Sequence, residues 1–79
     1  MNKFVLDEKN ATQLAKILTK GHQPNQQILN IKHGIHPETG ESYVMIMSSY
    51  PLSTVKQEIE HFMFFHGKII FPLQLIPIK

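Results

Sequence analysis

Between Ser53 and Leu75 the spacing of apolar residues changes from helical to extended, with one glycine at the change. Val55, Ile59, Phe62 and Met63 recur at three- and four-residue intervals, the inward stripe of a helix, and His66 prolongs it. Ser53 is the expected N-cap, with a Thr54 to Gln57 capping box one residue later as the competing register. Gly67 is placed to end that helix, because glycine alone adopts positive φ without steric cost. From Lys68 to Ile78 the chain is β-prone but interrupted by Pro72 and Pro77. Proline donates no ladder bond, so this last strand is expected at a sheet edge, or bulged or broken near Pro72.

The earlier residues follow the same logic. Lys3 to Leu6 is a short apolar run, a first strand. Asp7 or Asn10 can cap a helix whose stripe is Ala11, Leu14, Ala15 and Leu18, widened by Ile17. Lys20 followed by Gly21 closes it, a cation in the last turn and then a residue tolerant of positive φ. Pro24 and Asn25 mark a connector. Gln27 to Ile35 reads as a second strand, with Leu29, Ile31 and His33 on one face and Ile28, Asn30 and Lys32 on the other. His36 to Glu41 holds Pro37 and Gly40 and makes a hairpin loop of more than two residues. Ser42 to Ser49 is the third strand, with Tyr43, Met45 and Met47 opposed to Val44 and Ile46.

Strand, helix, strand, strand, helix, strand in about eighty residues is the order of the ferredoxin-like split βαβ fold. Right-handed crossovers then set two helices on one face of a four-stranded antiparallel sheet. Residues 1–79 make a single small α+β domain in this reading. A last segment broken at Pro72 gives the alternative, a three-stranded α+β domain with an extended C-terminal tail.

Helices on one side leave the other sheet face to water, where polar residues belong. The second, third and fourth strands instead carry apolar residues at both parities: Ile28 against Leu29 and Ile31, Val44 and Ile46 against Tyr43, Met45 and Met47, Ile70 and Ile76 against Ile69 and Phe71. Exposed patches of this kind mark interfaces. The plainer alternative is a tail after Pro72 that folds back over the open face. A 79-residue chain without cysteine has neither disulfide nor thiolate metal site to staple it, and burial in an oligomer is the usual remedy.

Charge narrows the partner. Eight lysines, no arginine and six carboxylates give a net charge of +2. No basic run forms, and the bidentate partner of phosphate and guanine is missing. RNA-binding domains of this topology present aromatics on the two central strands. Phe4 and Tyr43 are the candidates here, with Lys3, Lys32 and Lys68 nearby, but Ser42 to Met47 lacks the alternating aromatic pattern. No apolar run reaches the ~20 residues that span a bilayer. The N-terminus turns acidic too early for a secretory signal, so a cytoplasmic location and no membrane partner are expected.

Five histidines raise the question of a metal. His33 and His36 with Glu38, joined by His22, His61 or His66, could bind a transition ion if they converged. Scattered surface histidines are the plainer reading, since His61 and His66 lie about 140° apart around a helix. Ser48, Ser49 and Ser53 stand in no nucleophile elbow. The glycines occur singly, so no phosphate-cradling loop exists, and turns, bulges or helix ends account for them. Neither catalytic residues, nor a cofactor, nor a metal site is expected.

In Phe62-Met63-Phe64-Phe65 four bulky groups cannot all face inward, so Phe64 or Phe65 should meet a partner or the turn after Gly67. Tyr50-Pro51-Leu52 could extend that surface. The reading is a non-enzymatic, self-associating protein-interaction or regulatory module, a dimer through its apolar sheet face or edge that also binds an unidentified protein. Its expected interaction surface is Tyr43, Met45, Met47, Tyr50, Phe64, Phe65, Ile70 and Ile76. A nucleic-acid-binding domain is the alternative, and a histidine-based metal protein or enzyme comes after it.

Overall fold

The structure, a computed structural model, describes residues 2–78. Its elements run β1 (Asn2–Leu6), α1 (Glu8–Thr19), β2 (Asn30–Ile35), β3 (Ser42–Ser48), α2 (Leu52–Phe65) and β4 (Leu75–Ile78). The four strands form one antiparallel sheet in the order β2-β3-β1-β4. This is the ferredoxin-like α+β fold. The last segment does join the sheet, so the three-stranded alternative with a free tail does not hold.

The register decides which parity meets the helices. Phe4 pairs with Ile46 on β3, Leu6 with Leu75 on β4, and Ile31 on β2 with Ile46. Phe4, Leu6, Val44, Ile46 and Leu75 are buried with Leu14, Leu18, Ile59 and Met63 from the helices. Ser48 is the polar member of that face. Its hydroxyl donates to the Ile28 carbonyl and accepts from the Tyr50 amide, fastening the 25–29 turn to the end of β3.

Both helices end as their glycines imply. Gly67 has φ of 66°, its N–H reaches the Phe64 carbonyl, and the Lys68 N–H reaches that of Met63, the paired bonds of a Schellman motif. Asp7 caps α1 and accepts from the Asn10 N–H at 3.2 Å. Ala15 is half-buried, and Asn10 takes the core position instead.

Three expected boundaries move. The second helix is capped by Pro51 rather than Ser53 or Thr54, without a side-chain bond, because the Pro51 carbonyl already accepts from Val55 N–H. The second strand begins at Asn30. Ile28 and Leu29 lie in a turn where Asn25 Oδ1 accepts from Gln27 N–H. The last strand is confined to Leu75–Ile78, since Asp7 and Asn10 hold residues 70–74 to the start of α1. Asp7 Oδ1 accepts from Gln74 N–H at 2.9 Å, and Asn10 binds the Ile70 main chain. Leu73 from this irregular segment is a core residue. Paired at the edge, the tail widens the open face instead of covering it.

Candidate functional site

The pairing registers order the uncovered sheet face into rows. One row runs Lys32, Met45, Val5, Ile76, and the next runs Asn30, Met47, Lys3, Ile78. Gly34 and Tyr43 form a third row on two strands. Val5, Tyr43, Met45 and Met47 are half-buried, while Ile76 and Ile78 are exposed. The apolar surface therefore spans β3, β1 and β4. On β2 the open-face residues are Asn30, Lys32 and Gly34, which corrects the expectation that the second strand is apolar on both sides. That expectation rested on Ile28 and Leu29, and both precede the strand.

Tyr43 closes the upper end of this face. A methyl group built on Gly34 would stand 2.9 Å from the Tyr43 hydroxyl and 3.0 Å from two ring carbons. The tyrosine ring thus lies directly over the glycine of the neighbouring strand, a cross-strand arrangement that shields glycine backbone. The His36 ring continues the contact at 4.9 Å between centroids. Gly34 pairs with Tyr43 in an uninterrupted register, so it lies in neither a turn, a bulge nor a helix end, the roles expected of it.

The expected surface residues fall in separate places. Tyr43, Met45, Met47 and Ile76 share the open face. Phe64 and Phe65 project from the C-terminal end of α2, 70% and 84% exposed. Phe65 contacts His66 edge-on at 5.2 Å, and neither ring packs into the core. Tyr50 precedes the opposite end of α2, a helix about 20 Å long, so it does not extend the phenylalanine surface. Ile70 stands beside the first turns of α1, near Glu8 and Thr12.

An open cleft of about 800 Å³ lies along α2 against residues 22–25, lined among others by His22, Glu58, His61, Phe62 and His66. Glu58 and His61 stand three residues apart on α2, a Glu-x-x-His pair of the kind that the sequence was expected to lack. The His22 and His66 rings lie 4.6 Å apart at a tilt of 42°, and Phe62 meets His66 edge-on at 4.9 Å. Among the described residues no group of three or more histidine, aspartate or glutamate side chains is placed to hold a metal ion. His33 and His36 belong to β2 and the loop after it, and the convergence that a metal site required is not formed there.

The base-stacking arrangement loses its first-strand aromatic. Phe4 is 3% exposed and faces the helices, leaving Tyr43 as the aromatic of the open face. Among the described residues no helix is long and apolar enough to cross a membrane. In comparisons with known proteins, no family model, curated protein or solved structure matches this chain.

Proposed function

We propose that the protein is a non-enzymatic interaction module that self-associates through the open face of its sheet. The observation that carries this reading is the continuous row of Met45, Val5 and Ile76 across three strands on the side without helices. Met47, Ile78 and Tyr43 enlarge it. Methionine is unbranched and polarisable, so such a face adapts to the surface it meets.

Magnitudes set how strong the contact is. Three strands about 4.8 Å apart and about 20 Å long offer roughly 300 Å² per copy in projection. At about 25 cal/mol per Å², a pair of such faces contributes roughly 15 kcal/mol, against an association cost of about 4–15 kcal/mol. The difference, about 0–11 kcal/mol, allows dissociation constants from about ten nanomolar upward, and a total area of roughly 600 Å², below that of stable interfaces, argues for the weak, micromolar end. Edge pairing has less support, because Pro77 leaves β4 short of a donor and Lys32 places a charge in β2.

Phe64 and Phe65 lie outside that contact and remain available to a different protein. Sedimentation velocity over a rising micromolar series tests the reading. A concentration-dependent shift from monomer to dimer is expected, and a monomer up to the solubility limit overturns it.

A further inference from the structure

The ring of His22, two residues past the Lys20 cap of α1, lies 4.6 Å from that of His66, the C-cap of α2, at a tilt of 42°, so the C-terminal ends of both helices meet. Lysines gather at that junction. Lys16 and Lys20 sit one turn apart at the end of α1, and Lys68 follows the glycine that closes α2. The three line one hollow of about 430 Å³ together with Ser42, and a smaller adjoining one of about 90 Å³ together with His22 and His66. Among the described residues no carboxylate lines either hollow.

Part of this charge has an ordinary explanation. A helix C-terminus carries about half a negative elementary charge, which cations in the last turn offset. Two helix ends therefore answer about one of the three lysine charges, leaving a surplus of about two. The surplus is concentrated, since the whole chain carries a net charge of only +2.

We infer that this hollow binds a dianionic phosphate group. A phosphate monoester carries a charge of about −1.5 to −2 at neutral pH, which matches the surplus, and lysine binds phosphate as a point charge. The Lys68 backbone is held in place by its own N–H bond to the Met63 carbonyl at 3.0 Å. The imidazoles of His22 and His66 add ring N–H donors beside the smaller hollow. Thr12 and Thr19 also line the larger hollow, but their hydroxyls already donate to Glu8 and Ala15 carbonyls, so the lysines carry the binding. The site uses none of the residues of the open sheet face and stands or falls apart from it.

Titration of the ¹⁵N-labelled protein with inorganic phosphate at constant ionic strength tests the inference. Saturable amide shifts confined to residues 16–22, 42 and 66–68 are expected. Lys20→Gln and Lys68→Gln should each weaken binding about fivefold, the worth of a unit charge pair at about 4 Å in water. Lys56→Gln, on the outer side of α2, should change nothing. Linear shifts without saturation, or an equal loss in Lys56→Gln, overturn the site. Parallel titrations identify the source of the phosphate. Saturation by glycerol phosphate points to a soluble ester, and saturation only by phosphatidic acid in phosphatidylcholine vesicles points to a lipid headgroup. Binding of an oligonucleotide with no response to either overturns the assignment to a single phosphate group.

Discussion

The side-chain amide of Asn10 meets the main chain of Ile70 edge to edge. Asn10 Oδ1 accepts from Ile70 N–H at 2.7 Å, and Asn10 Nδ2 donates to the Ile70 carbonyl at 2.5 Å. The same nitrogen donates to both Asp7 oxygens at 3.1 Å. One fully buried side chain from the first turn of α1 thus does for residue 70 what a neighbouring strand would do. It also fixes where the chain turns back into β4, and β4 supplies Ile76 and Ile78 to the open face.

Asn10→Ala leaves both polar groups of Ile70 without their partner in a segment packed on the core. Two lost hydrogen bonds, with the desolvation of the groups they leave, cost about 2–4 kcal/mol. Urea unfolding followed by circular dichroism should show that loss. A change under 0.5 kcal/mol, on the order of an ordinary surface substitution, would mean that Leu73 and the Asp7–Gln74 bonds hold residues 70–74 without Asn10.

Gly34 and Tyr43 make a second, gentler test. Gly34→Ala drives a methyl group to within 3 Å of the tyrosine ring. The atoms it meets are at the far end of a half-buried side chain on an uncovered face, so the ring can swing aside. Alanine also relieves glycine's entropic cost in a strand, roughly 0.5–1 kcal/mol, and the two effects nearly cancel. Global stability should therefore move by less than about 1 kcal/mol while the Tyr43 ring resonances shift and its contact with His36 is lost. Unchanged Tyr43 and His36 resonances would contradict the placement of the ring over the glycine.

Why some of this was legible in the sequence and some was not is a matter of range. The helices announce themselves because Leu14, Leu18, Ile59 and Met63 lie within one period of their neighbours, and Gly21 and Gly67 punctuate them locally. The parity of β3 does not, because Val44 and Tyr43 are both acceptable inside, and only pairing with Phe4 on β1 decides. Lys68 to Gln74 is as β-prone as any strand here, yet Asn10, sixty residues before Ile70, claims its backbone first. Phe4 looked available to stack on a base for the same reason, since nothing near it in sequence says which face it takes. The lysines of the proposed phosphate site were hidden in the same way. Lys16 and Lys20 have the one-turn spacing of a shared helix face, but Lys68 joins them only through the meeting of two helix ends.

The open face as the dimer contact predicts a clean separation of variants. Met45→Lys places a charge at the centre of the apolar row, beside Val5 and across from Lys32. It should abolish self-association while leaving the thermal midpoint of the monomer within a few degrees, because Met45 contributes nothing to the buried core. Phe65→Ser, on the far end of α2, should leave the dimer intact despite removing a more exposed hydrophobic side chain. Analytical ultracentrifugation of the two variants reads both outcomes. Dissociation by Phe65→Ser together with an intact Met45→Lys dimer would transfer the contact to the helix end.

Lys3 gives the last test, and its sign is unusual for a lysine at an interface. It lies between Met47 and Ile78 in the second row, with Lys32 in the first, and among the described residues none of the open-face positions holds a carboxylate. Two copies joined face to face thus bring four ammonium groups toward one small contact without an acidic partner. The aliphatic stem of Lys3 can lie along its neighbours while the charge reaches for water, but repulsion remains. Neutralising it with Lys3→Gln should therefore tighten the dimer, by about two- to fivefold for the loss of one screened like-charge contact. Raising salt from low to physiological strength should tighten the wild-type dimer in the same direction, as the Debye length falls toward about 8 Å. Measured by sedimentation equilibrium, a dimer that weakens with either change would require acidic groups of the partner copy to face Lys3. The open faces would then not meet each other.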